Sequence, residues 1–213
     1  MTEFTIASFN VKNLIGADQE YYRFESYTPE EYAWKQNWLA NQLLTMNADI
    51  VCFQEIFDKD ALQAVIDETN EAGNELNEDV IPDASKRYHR KAIFKKLNFE
   101  PYGKDQAFFA PNTTDGEPGK RRPGLAMLSR FGFEGTPEII QELDEPLVID
   151  FPTAGYDSDE SAGSYTLERI SRPIIKAKIK IGHEVVTVFN CHLKSKLGEY
   201  IKPKGADLSL IHI

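Results

Sequence analysis

Apolar positions along this chain fall into short runs of two kinds, near-continuous or alternating strands and stripes with a helical period, and their order predicts an alternation of elements. Residues 4–11 read as a buried strand, and a loop carrying Tyr21, Tyr22, Phe24 and Tyr27 follows. Thr28-Pro29-Glu30-Glu31 then combines a hydroxyl cap, a proline in the first turn and a glutamate placed to reach back to the cap. These features predict a helix running to about Met46 that buries Trp34, Trp38, Leu39 and Leu43. Residues 49–56 are a second buried strand, after which Asp58 caps a helix whose Leu62, Val65 and Ile66 face inward. Residues 70–85, polar and acidic with Gly73 and Pro82, read as an insertion loop. A helix with Ile93, Phe94 and Leu97 against a basic face comes next.

The second half is strand-rich. Residues 106–110 and 124–129 are expected to pair across a Pro/Gly/Asn/Thr loop at 111–119. Residues 144–168 are acidic and read as a loop. From 174 to 181, Lys alternates with Ala177, Ile179 and Ile181. The chain then turns at Gly182-His183 and returns at 185–191, so a hairpin with one solvated face is expected.

At 213 residues and 41% hydrophobic, the chain has the size of one domain. No stretch offers the about 18 consecutive apolar residues of a membrane span, and no basic region or apolar signal core precedes Thr5, so a cytoplasmic location is the default expectation. Cys52 and Cys191 both fall in strands read as buried and are expected to be free core thiols, too few to staple a chain of this length.

Charge changes the picture more. The net charge of -10 opposes long-range attraction of a polyanion, so an anionic substrate would need local positive charge or a metal. The distribution is blocky: residues 55–83 hold ten acidic side chains and one Lys, and residues 134–168 hold ten acidic and no basic ones. Residues 86–104 carry seven basic and one acidic, and 172–204 eight basic and two acidic. The two acidic blocks read as solvated surface.

Three strands end on polar groups. Asn10, Glu55 and His192 each close an apolar run, and such a run has little reason to end on a carboxamide, a carboxylate or an imidazole unless these meet a cation, a phosphate or each other. Oxygen donors of this kind suit Mg²⁺, which keeps several waters and takes one or two carboxylates, with Mn²⁺ as a possible substitute. Asn190 shares a face with His192 and is expected to orient it. Gln54 is expected to support the backbone or Glu55, and His89, His183 and His212 read as surface.

The segments SFNVKNL (8–14), ADIVCFQEI (48–56), RRPGLAMLSR (121–130) and VFNCHLKSK (188–196) together resemble, in order and approximate spacing, the successive blocks of the endonuclease/exonuclease/phosphatase superfamily. These are metal-dependent phosphoesterases that include deoxyribonuclease-like nucleases, sphingomyelinases and inositol phosphate phosphatases. The resemblance implies an α/β sandwich of two mixed β-sheets flanked by helices. It implies Glu55 as principal metal ligand with Asn10 beside it, and His192 with Asn190 as the catalytic pair serving the phosphate. Arg122 and Arg172 match basic positions on the phosphate side.

The expected activity is Mg²⁺-dependent phosphodiester hydrolysis, with a nucleic acid as the first choice of substrate. A lipid or inositol phosphate phosphoesterase and a non-catalytic binding module on the same scaffold are the alternatives. The family pattern continues to a Gly-Asp-x-Asn and a Ser-Asp-His block, and neither occurs in the sequence. The expectation is therefore that residues 1–206 are the N-terminal portion of such a domain, that 207–213 form a non-native tail, and that the chain by itself is inactive.

Overall fold

The computed structural model describes residues 3–21, 25–78, 99–103, 106–112, 122–151, 163–193, 199–201 and 209–211. Strand β1 (Ile6–Leu14) lies parallel to β2 (Ile50–Ile56), with Ile6 opposite Ile50 and Asn10 opposite Gln54. Parallel neighbours need a crossover, and helix α1 (Pro29–Met46) supplies it. Its start is the expected one: the Glu31 N–H donates to Thr28 Oγ1 at 3.2 Å and the Thr28 N–H to Glu31 Oε2 at 2.9 Å. On the other side of β2 runs antiparallel β4 (Gly124–Ser129), which in turn pairs with antiparallel β3 (Ala107–Ala110). The four-stranded mixed sheet therefore has the order β1-β2-β4-β3.

Helix α2 (Lys59–Glu78) begins where Asp58 Oδ1 accepts the Asp60 N–H at 2.9 Å. It runs further than its composition indicates, absorbing residues 70–78 of the stretch read as a loop. The polar residues that made it look like a loop bind the segment at 99–103. Asn70 exchanges two hydrogen bonds with the Tyr102 backbone (2.8 and 2.9 Å), and Asn77 does the same with Phe99 (2.8 and 3.3 Å). Gly73 belongs to the same contact, since an added Cβ would fall 2.1 Å from the Phe99 ring. The rest of that loop and the helix expected around Ile93, Phe94 and Leu97 lie outside the described residues.

Helices α1 and α2 cover one face of this sheet, burying Leu39, Leu43, Leu62, Val65 and Ile66 against Leu14, Val51, Phe53, Ile56, Ala126 and Leu128. Glu68 ties the helices together, accepting from Gln36 and Asn37 at 2.8 Å each. The two tryptophans depart from expectation: Trp34 is 71% and Trp38 44% exposed. The stripe that α1 buries, Leu39, Ala40, Leu43 and Leu44, lies at the C-terminal end of the helix, and only Trp38 leans back toward a core ring, 6.3 Å from Phe9.

The opposite face packs on a second sheet of β5 (Glu138–Phe151), β6 (Gly163–Ile181) and β7 (Glu184–Cys191). Ile50, Cys52, Leu125 and Met127 meet Ile175, Ala177, Ile179 and Val188 between the sheets. The fold is thus an α/β sandwich, helices on sheet on sheet, with the second sheet antiparallel rather than mixed. Its β5 and the start of β6 occupy much of the acidic segment read as a loop. Pairing across the sheet holds them, with Leu147 opposite Leu167, Glu138 bonded to Lys176 at 2.8 Å and Glu142 3.4 Å from Arg169.

The β6–β7 hairpin is as expected, with Gly182 at φ 63 in a two-residue turn and Lys178 and Lys180 exposed. Cys52 is buried, and burial first, with a smaller contribution from Cys191, pushes its thiol up to about 11. Cys191 is instead exposed, because β7 buries only its alternate residues Val188 and Asn190. Short strands β8 (Glu199–Ile201) and β9 (Ser209–Ile211) pair with each other. Among the described residues no helix is long and apolar enough to cross a membrane.

Candidate functional site

Strand β2 alternates strictly at first, with Val51 and Phe53 in the helix-side core and Ile50 and Cys52 between the sheets. Continued alternation would drive the Glu55 carboxylate into the apolar core under the helices. The strand avoids this with a bulge. Gln54 pairs with Leu125 and Ile56 with Gly124, which leaves Glu55 as an extra residue at φ 67. Ile56 thereby returns to the side of Phe53, and Glu55 belongs to neither face.

A non-glycine residue in the left-handed region costs on the order of 1–3 kcal/mol, so the neighbours must hold it there. They do, through Ile56, wholly buried, and Gly124, whose backbone lies so close that a Cβ would stand 2.3 Å from the Ala110 carbonyl and 3.2 Å from that of Ile56. β1 leaves register at the same level. Between the pairs Asn10–Gln54 and Leu14–Ile56 it carries surplus residues, and Lys12 and Asn13 are left-handed at φ 52 and 61.

This double irregularity brings Asn10 and Glu55 together. Lys12 N–H donates to Asn10 Oδ1 at 2.9 Å, which turns the other side of the amide so that Nδ2 donates to Glu55 Oε1 at 3.0 Å. No described residue bonds Glu55 Oε2. The third residue arrives from the second sheet, where His192, immediately after β7, places Nε2 3.5 Å from the same Glu55 Oε1. The three strand ends therefore converge, with Glu55 at the centre.

Asn190 explains how β7 is aimed. It is 2% exposed, accepts from Gln54 Nε2 at 2.9 Å, and donates to the Phe53 and Ala126 carbonyls at 2.9 Å each, spanning a cross-strand pair of the first sheet. Its side chain is spent on the opposite sheet, which makes Asn190 a positioning residue for His192, two residues on. Gln54 meets the backbone half of its expectation. It donates to Ser8 Oγ, the Cys52 carbonyl and Asn190 Oδ1, and so belongs to this inter-sheet strut instead of supporting Glu55.

Arg172 of β6 reaches the site from behind, donating through Nη1 to the carbonyls of His192 at 3.3 Å and Leu193 at 2.9 Å. It fixes the backbone that carries the imidazole. Burial first and the Arg172 charge second lower the His192 pKa from its ordinary 6.5, against the opposing pull of Glu55. His192 Nδ1 is buried with no hydrogen-bond partner among the described residues. Arg122 stands exposed at the entrance to β4.

Among the described residues no three His, Cys, Asp or Glu side chains gather closely enough to hold a metal by themselves. Among these residues Glu55 is the carboxylate that could hold a cation, through the oxygen that no described residue bonds. The turn at Lys12-Asn13 is a feature that the sequence scarcely announces. Its one signal was Asn13, a residue type that tolerates the left-handed region.

No protein-family model matches the chain, and no curated protein matches it. Two chains of solved structures match. One is an endonuclease/exonuclease/phosphatase family protein from Leptotrichia buccalis C-1013-b, similar over 90% of this chain and 54% of its own, with a TM-score of 0.43 and 12% identity. The chain thus spans about half the length of that protein. A likeness at this level identifies neither an activity nor a residue.

Proposed function

We propose that Asn10, Glu55 and His192 form the metal and phosphate pole of a phosphodiester hydrolase site, with Mg²⁺ or Mn²⁺ as its cation and a nucleic acid as its substrate. The observation that carries this reading is the convergence of the three strand ends on one carboxylate, set on a strained bulge that serves neither core. Strain concentrated at a polar cluster is the signature of a position kept for chemistry.

A phosphodiester repels nucleophiles because its oxygens are anionic, and a hard cation would neutralise that charge. Glu55 is the residue that would hold the ion, through the oxygen that Asn10 leaves open, while the Asn10 amide fixes the carboxylate plane. His192, kept neutral at pH 7 by burial and by Arg172, is able to accept a proton or to donate an N–H hydrogen bond to a phosphate oxygen. Arg172 acts through the backbone of His192.

Titration of Mn²⁺ into the chain, and separately of dimethyl phosphate into the Mg²⁺-loaded protein, tests the two roles. Glu55→Gln keeps the shape and removes the charge, so metal binding should be lost at concentrations that saturate the unmodified chain. His192→Ala should retain the metal and weaken dimethyl phosphate binding as measured by calorimetry, and in the unmodified Mg²⁺-loaded chain the same ligand should shift the His192 imidazole resonances. Equal Mn²⁺ affinity in Glu55→Gln, or imidazole resonances indifferent to phosphate, overturns the corresponding assignment.

A further inference from the structure

The left-handed turn after Asn10 needs an external hold, because neither Lys12 nor Asn13 is a glycine. The Lys12 carbonyl is where that hold is applied. The Lys35 ammonium, from α1, donates to it, and the Tyr27 hydroxyl donates to it at 3.4 Å. Lys35 Nζ also donates to Tyr27 Oη at 2.9 Å, so the two side chains and the carbonyl form one closed cluster. Lys35 is half-buried there, unlike an ordinary solvated lysine on a helix. At its other end, Lys12 offers its N–H to Asn10 Oδ1, and Asn10 Nδ2 continues to Glu55 Oε1. A single residue thus takes the ammonium on its carbonyl and passes orientation to the site through its N–H.

We infer that Lys35 is a positioning residue of the cation site, acting on Glu55 through the Lys12 carbonyl, the Lys12 N–H and the Asn10 amide, with Tyr27 bracing the ammonium. The inference rests on the reading of Glu55 as the metal-holding residue. Lys35 itself holds no metal, being a cation, and its effect is to keep the Asn10 amide in the orientation that leaves Glu55 Oε2 open. Groups that orient a ligand in this way commonly change metal affinity by tenfold to a hundredfold.

Mn²⁺ titration of the full chain and four variants tests it, with a urea unfolding midpoint recorded for each. Lys35→Met keeps the length and apolar stem and removes the donor, and it should weaken Mn²⁺ binding about tenfold. Lys35→Arg retains a donor and a charge and should restore most of that affinity. Tyr27→Phe should give a smaller loss, and Glu55→Gln a complete one. Wild-type affinity in Lys35→Met beside a lost site in Glu55→Gln overturns the role of Lys35 and leaves the metal reading intact. Wild-type affinity in Glu55→Gln overturns the metal reading and this inference with it. Equal losses in the Met and Arg variants, accompanied by equal falls in midpoint, would make Lys35 a fold support only. If Lys35→Met does not fold, Tyr27→Phe decides, and unchanged affinity there overturns the proposal.

Discussion

His192 Nε2 stands 3.5 Å from Glu55 Oε1, yet the imidazole is harder to protonate than an ordinary histidine, because burial and the Arg172 charge outweigh the carboxylate. A pH dependence of stability follows. With the folded pKa below the unfolded 6.5, the unfolded chain takes up the proton first as pH falls, so stability declines from about pH 6.5 down to the folded pKa. The urea midpoint should fall as pH drops through about 6.5, and His192→Gln should flatten that part of the slope. An unaltered slope in the variant would assign the effect to other groups.

Removing the guanidinium should move the same equilibrium the other way. Arg172→Met deletes a charge that lowers the His192 pKa and the tether on the His192 and Leu193 carbonyls. The imidazole should then titrate at higher pH and its resonances should broaden as the segment loosens. An NMR titration of the two proteins checks both effects, and an unmoved or lowered midpoint contradicts the assignment.

Glu55 at φ 67 makes a separate claim on backbone energetics. Glu55→Gly relieves the left-handed strain and Glu55→Ala does not, so the glycine variant should be the more stable of the two by about 1 kcal/mol despite its greater unfolded-state entropy. Urea denaturation measures the difference. A glycine variant less stable than the alanine variant would mean that the bulge carries no strain.

Asn190 should be among the costliest polar residues to replace. Asn190→Ala removes three hydrogen bonds across the sheet interface and strands the Gln54 amide, a loss of about 3 kcal/mol. Asn190→Asp keeps the shape but sets an anion against two carbonyl oxygens and should cost at least as much at neutral pH. A loss below about 1 kcal/mol in either variant would show that water takes over these bonds.

What was legible in the sequence was what depends on near neighbours along the chain. The cap at Thr28 and the β6–β7 hairpin each involve residues a few positions apart, and both stand as read. That Asn10, Glu55 and His192 meet was legible too, because polar groups closing apolar strands need a partner. Features that depend on a distant partner were not. The acidic segment becomes strand because β6 lies beside it, Cys191 is exposed because β7 buries only alternate residues against the first sheet, and Trp34 stays in solvent because the helical period does not say which stripe will be covered. The bulge at Glu55 was hidden for the same reason, since it shows only in the pairing of β2 with β4.

The bulge has a consequence for how this chain tolerates change. Most positions on β2 are bound to one core or the other, and a substitution there must be answered by partners on a second element. Glu55 is exempt from that bargain, since Gln54 and Ile56 on either side keep the strand's two faces in place whatever side chain stands between them. Its chemistry is thereby uncoupled from the packing. The carboxylate can therefore be exchanged for another group without first rebuilding the interior.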